Sequence, residues 1–94
     1  MKIRYTKRAY SDLQQILDYL RTRSPKGAAN VLTRFEAALE ILAEQPLMGH
    51  ATDVGNVRVL FVGRYPYKIF YRLSGNDVEI VHIRHTARRP GEID

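Results

Sequence analysis

The stretch Tyr65–Leu73, Tyr-Pro-Tyr-Lys-Ile-Phe-Tyr-Arg-Leu, predicts a β-strand that begins directly after a proline. Proline has a fixed φ and no N–H group to donate, so Pro66 fits the start of a strand and not its middle. Because side chains alternate along a strand, one face carries four apolar residues, Tyr67, Ile69, Tyr71 and Leu73. The other face carries Lys68, Phe70 and Arg72. We expect the first face to belong to the core, and the second, mixed face to carry function.

Two amphipathic helices are predicted before this strand, over residues 7–23 and 25–44. Apolar residues recur at the helical spacing of three and four positions in both segments. Thr6 and Ser24 are typical helix caps, and Pro25 fits the first helical position. Pro46 ends the second helix, because the residue before a proline is pushed out of the α region. The short break between the helices predicts an αα-hairpin.

The remaining strands complete an α+β fold. We expect an N-terminal edge strand over residues 2–5, a loop over 46–56, and a three-stranded antiparallel meander over 57–62, 67–73 and 78–84. Ser-Gly-Asn-Asp between the last two β-rich runs is a hairpin signal. If Leu73 faces Val78, then Phe70 faces Val81. The chain is predicted to be one domain over residues 1–94, with a basic tail over 85–94.

Composition limits the classes of function. The chain has 94 residues, with 15 Lys and Arg against 10 Asp and Glu, a formal net charge of +5. This charge favours an acidic partner, such as nucleic acid, an acidic protein segment or an anionic protein surface. The absence of cysteine excludes disulfides and thiolate metal sites, and the three histidines lack ligand spacing, so we expect no metal and no cofactor. No apolar run suits a signal peptide or a membrane span, so we expect a cytoplasmic protein without membrane contact.

The second face of the sheet is the predicted binding surface. Alternation outward from Phe70 gives an apolar strip of five residues, Leu60, Val62, Phe70, Val81 and Ile83, with His85 beyond them. A basic rim lies beside the strip: Arg58, Lys68, Arg72, Arg84 and Arg88. A sheet covered by helices on one side usually has a polar second side, so this strip indicates either a groove for a partner or cover by the loop or the C-terminal tail.

The basic residues also suit one kind of chemistry. Cleavage of RNA without a metal needs a proton acceptor for the 2′-hydroxyl, a proton donor for the leaving oxygen, and cations for the developing negative charge. If they converge, these roles fall to Arg58, Lys68, His85 and Arg88. The same cationic end of the chain suits contact with an anionic target without any chemistry.

The element order and three motifs resemble the RelE/ParE superfamily of toxins from type II toxin-antitoxin systems. The motifs are Tyr-Pro-Tyr-Lys-Ile-Phe-Tyr-Arg-Leu at 65–73, Val-Glu-Ile-Val-His-Ile at 78–83 and His-Thr-Ala-Arg at 85–88. The first and third are similar to the ParE branch. That resemblance implies a toxin that inhibits DNA gyrase and is neutralised by a small acidic ParD-like antitoxin in a hetero-oligomeric complex. The RelE branch instead cleaves mRNA in the ribosome.

The resemblance also assigns roles to residues. Arg58 and Lys68 match basic positions of the RelE branch, but the second basic position of that strand falls near Leu60, and no tyrosine follows Arg89. The incomplete set favours a toxin that is not an enzyme and has no catalytic residue. We therefore expect the apolar strip to bind the antitoxin. We expect the target to contact the basic end of the chain, at Arg84, His85, Arg88 and Arg89.

Overall fold

Two helices lie against one face of a five-stranded mixed sheet in the computed structural model, which describes residues 1–86. The elements in chain order are β1 (Lys2–Tyr5), α1 (Lys7–Arg23), α2 (Pro25–Glu44), β2 (His50–Ala51), β3 (Arg58–Phe61), β4 (Tyr67–Ser74) and β5 (Asp77–His85). The strand order is β1-β5-β4-β3-β2, in which β1 is parallel to β5 and the other neighbours are antiparallel. The predicted α+β class, edge strand, αα-hairpin and meander are confirmed. Within residues 1–86, neither helix is long and apolar enough to cross a membrane.

The predicted helix caps are confirmed. The Thr6 hydroxyl accepts a hydrogen bond from the Ala9 N–H at 3.1 Å, and the Ser24 hydroxyl accepts one from the Gly27 N–H at 3.0 Å. The Ser24 N–H also donates to the Leu20 carbonyl at 2.7 Å. One residue therefore ends α1 and begins α2, which explains why the two helices are adjacent and antiparallel.

The core forms where the apolar stripes of both helices meet the predicted face of β4. Ile69 and Tyr71 are completely buried, and Phe35 of α2 lies with its ring centroid 5.8 Å from that of Tyr67. The face assignment of β4 is therefore confirmed. Other buried members come from both helices and from β5: Ala9, Leu13, Leu17, Val31, Leu42, Val78, Ile80 and Ile83.

The predicted face of β3 is wrong. Leu60 pairs with Ile69, so it lies on the core side, and Val62 is only 1% exposed. The alternation that faces the core includes Arg58, whereas Val57, Val59 and Phe61 on the other alternation are all apolar, so the pattern alone does not identify the core side. The turn decides it, because the Val62 N–H bonds the Tyr67 carbonyl at 3.0 Å and sets Val62 beside a core residue. The two-residue strand β2 inside the predicted loop was missed.

The predicted register of β5 is correct only for its first half. Leu73 faces Val78 and Arg72 faces Glu79, as predicted, but a β-bulge shifts the pairing between Phe70 and Tyr71. Phe70 consequently faces His82 and not Val81. A bulge inserts one extra residue into a strand, so the alternation changes phase after it.

This phase change places Ile83 and His85 on the core side. Ile83 is 3% exposed, and the prediction that it lines the second face is wrong. His85 pairs with Tyr67, and its ring packs edge-on at a centroid distance of 5.4 Å. β5 therefore includes His85, one residue beyond the predicted end of the strand, and residues 87–94 of the predicted tail lie outside the described residues.

We predict that Ile69→Ala lowers the free energy of unfolding by about 2–5 kcal/mol, because it leaves a cavity between helices and sheet. Ile41→Ala is the matched control, since Ile41 is 44% exposed, and its effect should stay within about 0.5 kcal/mol. Urea unfolding followed by circular dichroism measures both. Equal effects of the two substitutions would contradict this assignment of the core.

Candidate partner-binding face

The side of the sheet away from the helices, here called the outer face, is set by the register of β3, β4 and β5. Its members alternate with the core residues: Val59, Phe61, Lys68, Phe70, Arg72, Glu79, His82 and Arg84. Of the predicted apolar strip, only Phe70 lies there as expected. Val81 is the unpaired residue of the bulge and is half-buried. Antitoxin binding by the sheet stays a prediction. The outer face that would serve it has other members than the predicted strip, because Leu60, Val62 and Ile83 lie on the core side.

Ion pairs join arginines and carboxylates on the half of the outer face next to the β4–β5 hairpin. Arg72 Nε lies 2.7 Å from a Glu79 carboxylate oxygen, and Arg4 of β1 reaches both Glu79 at 3.4 Å and Asp77 at 2.9 Å. Two arginines thus balance two carboxylates. These pairs are partly exposed, so each contributes little stability, but they supply both arginines with carboxylate partners.

The other half of the outer face is centred on the Phe70 ring. The His82 ring stacks on it with centroids 5.7 Å apart and planes 19° apart. Lys68 Nζ and Arg84 Cζ each lie 5.9 Å from the ring centroid, within the range of cation–π contact. Phe61, the direct partner of Lys68, is 52% exposed. This arrangement of rings and cations suits an acidic group attached to an apolar or aromatic one.

Asp12 of α1 connects this site to the edge of the sheet. Its carboxylate lies 2.7 Å from His82 Nδ1 and accepts a hydrogen bond from the Ile83 N–H at 3.0 Å. β1 ends before this part of β5, so Thr6 and Asp12 cover the edge instead: the Thr6 N–H donates to the Ile80 carbonyl at 2.9 Å. The edge is therefore satisfied without another strand.

Sequence reasoning missed this Asp–His pair. The two residues are 70 positions apart, and the bulge that brings His82 beside Phe70 was not predicted. The one available hint was Asp12 itself, an acidic residue directly before the buried Leu13 on α1.

Arg58, a predicted nuclease residue, holds the loop after α2. Its guanidinium donates to the Gly49 carbonyl at 2.8 and 3.1 Å and to the Leu47 carbonyl at 3.3 Å. The Tyr71 hydroxyl holds the same loop, since it donates to the Pro46 carbonyl at 2.8 Å and accepts from the Gly49 N–H at 2.9 Å. A Cβ on Gly49 would lie 2.6 Å from that hydroxyl oxygen, so only glycine fits there.

The three predicted nuclease residues that lie within residues 1–86 are not brought together. Arg58 pairs with Tyr71 and His85 with Tyr67, both on the core side, whereas Lys68 lies on the outer face. Arg88 lies outside the described residues, as does Arg89. Arg84 and His85, two of the predicted target contacts, point to opposite sides of the sheet. Within residues 1–86, no three His, Asp or Glu side chains are grouped as metal ligands.

Solved structures share this fold. A toxin-antitoxin structure described as the chromosomal ParDE system from P. aeruginosa superposes with a TM-score of 0.78 at 24% identity, over 90% of this chain and 95% of that one. The YoeB dimer of Staphylococcus aureus superposes with a TM-score of 0.63 at 9% identity, over the same shares. These two likenesses concern the fold, which is the predicted RelE/ParE-like one.

Sequence comparison defines the family. The model for "ParE toxin of type II toxin-antitoxin system, parDE" matches residues 3–90. Toxin RelE2 of Caulobacter vibrioides is 39% identical over 89% of this chain and 93% of its own length. The candidate toxin Y4kP of Sinorhizobium fredii is 38% identical over 94% of this chain and 91% of its own. The chain therefore belongs to the ParE toxin family of type II toxin-antitoxin systems, and the predicted resemblance is confirmed.

We predict that Asp12→Ala lowers the free energy of unfolding by about 1–3 kcal/mol, because the Ile83 N–H and the His82 ring lose their acceptor at the sheet edge. Asp18→Ala on the same helix is the control, since that carboxylate pairs only at the surface with Arg21 at 3.3 Å. Amide hydrogen exchange at Ile83 should quicken in the first variant alone. Unchanged exchange there would contradict the role of Asp12.

Proposed function

We propose that this toxin inhibits DNA gyrase as a binding protein and is neutralised by a ParD-like antitoxin. The match of residues 3–90 to the ParE family carries the proposal. Gyrase is a cytoplasmic enzyme, so the toxin acts in the cytoplasm. No covalent step is required of the toxin, because inhibition by binding needs only a complementary surface.

The placement of the basic residues supports a binding protein over a nuclease. Metal-free RNA cleavage requires acid, base and cation within hydrogen-bond reach of one phosphate. The Arg58 guanidinium donates hydrogen bonds to the Leu47 and Gly49 carbonyls. His85 packs against Tyr67, on the opposite side of the sheet from Lys68. The candidate nuclease set is thus divided between two faces.

The proposed target contacts are Arg84 and His85 near the end of β5 and, later in the sequence, Arg88 and Arg89. Positive charge speeds encounter with an anionic surface and orients the complex. DNA bound to gyrase offers such a surface through its phosphates.

We predict that the double variant Arg88→Ala/Arg89→Ala raises the toxin concentration needed to inhibit gyrase by about tenfold or more, equivalent to about 1.4 kcal/mol of lost binding. The double variant Arg21→Ala/Arg23→Ala removes the same charge at the helix hairpin and should inhibit like the unmodified toxin. The measurement is supercoiling of relaxed plasmid by purified gyrase. Equal potency of both double variants would remove the basic tail from the interface.

The alternative function, ribosome-dependent cleavage of mRNA, is favoured by one observation. The Asp12–His82 pair has the geometry of an oriented general base, and Lys68 and Arg84 lie beside the same Phe70 ring. Of the residues that the sequence suggested for a nuclease, only Lys68 belongs to this group.

The two functions are separated by assaying the toxin with gyrase and, in parallel, with translating ribosomes. We expect inhibition of supercoiling, no mRNA cleavage, and the same inhibition by His82→Gln once its fold is verified. mRNA cleavage that is lost in His82→Gln, together with unaffected gyrase, would establish the alternative.

A further inference from the structure

We propose that the end of α2 and the loop after it bind the cationic protein surface with which gyrase holds DNA. The inference rests on the proposed function for the identity of the target, and it adds which part of the toxin meets the enzyme and by which chemistry. The surface is called the α2–loop face below. Its five members are all exposed: Glu40, Ile41, Glu44, Leu47 and Met48.

Charge is unevenly distributed along the chain. Residues 35–57 contain four Asp or Glu and no Lys or Arg, which gives this stretch a formal charge of −4. Because the whole chain carries +5, the remaining residues together carry +9. A surface built from residues 35–57 therefore has the opposite charge to the rest of the toxin, and it favours a basic partner.

The α2–loop face combines carboxylates with exposed apolar side chains. Glu40 and Glu44 are four positions apart on α2, so they are neighbours on the helix surface, and Ile41 lies beside both. Leu47 and Met48 follow directly after the helix and are 64% and 47% exposed. Grouped apolar side chains that remain exposed mark sites of protein interaction.

The loop that carries Leu47 and Met48 is fixed from its inner side. The Tyr71 hydroxyl and the Arg58 guanidinium bind three of its carbonyl groups at 2.8–3.3 Å. These bonds hold the loop in a form that leaves both apolar side chains exposed. A partner that covers them therefore has little loop entropy to overcome on binding.

These properties select the protein part of a gyrase–DNA complex as the occupant. The carboxylates of Glu40 and Glu44 repel both DNA phosphates and an acidic antitoxin. An enzyme that holds DNA carries cations along the path of the phosphates. Such a surface complements two carboxylates beside apolar side chains. The α2–loop face then contacts the enzyme, while the basic residues near the end of β5 contact its DNA.

The test uses two variants of the full-length toxin, Glu40→Lys and Leu47→Ser, each with a matched control. Asp18→Lys also reverses an exposed carboxylate on a helix, and Tyr19→Ser also removes a large exposed side chain. Each protein is titrated by calorimetry into purified gyrase without DNA. Each site variant should bind about tenfold or more weakly than its control, with the melting temperature of the free toxin unchanged. Met48→Ser replaces a site variant whose melting temperature falls.

The sign of the effect of Glu40→Lys separates this inference from binding through cations alone. If only the basic residues of the toxin attach it to an anionic target, then added positive charge leaves binding unchanged or strengthens it. The α2–loop face instead requires that Glu40→Lys weakens binding. Asp18→Lys adds the same charge away from this face and should not weaken binding.

Two results would overturn the inference while the proposed function stands. If the unmodified toxin and all four variants bind gyrase equally well, the α2–loop face is not the contact. If the site variants keep their affinity for gyrase and bind the antitoxin more weakly, the face belongs to the antitoxin. Failure of the unmodified toxin to bind or inhibit gyrase would instead remove the proposed function, and this inference with it.

Discussion

The burial of one face of β4 is the constraint on which the rest of the structure depends. Tyr67, Ile69 and Tyr71 are enclosed between helices and sheet, and every other element is positioned by contact with them or with their strand neighbours. Tyr71 has a second role, since its hydroxyl binds the loop that follows α2. A single strand thereby fixes the helix layer above it, the strand on each side of it and the crossing loop.

The two edges of the sheet are covered by different elements. On the β5 side, the short strand β1 covers residues 77–80, and Thr6 and Asp12 satisfy the strand beyond that point. On the β3 side, the neighbour is the two-residue strand β2, held by the loop that Arg58 and Tyr71 fix. Short strands and covered edges of this kind protect a small sheet protein from pairing with other chains.

The sequence allowed the elements to be predicted much better than the faces. Caps at Thr6 and Ser24 and the proline at 66 act locally, through backbone groups that any helix end or strand start must satisfy. The face of β3 depends on how a turn aligns two strands, and the bulge in β5 depends on packing, so neither leaves a local pattern. The Asp12–His82 contact and the hydrogen bonds from Arg58 to the loop depend on this strand register and on the bulge, so they could not be predicted before both were known.

The junction at Ser24 restricts how the chain can change in length. One residue both terminates α1 and caps α2, so no spare backbone separates the helices. A helix turns by about 100° per residue, and an insertion in the first turn of α2 would rotate Val31 and Phe35 away from the sheet. A deletion would remove the signals for both helix ends at once. Among relatives that differ in length, the extra residues should therefore fall in the loop between Ala51 and Arg58 and not in the hairpin.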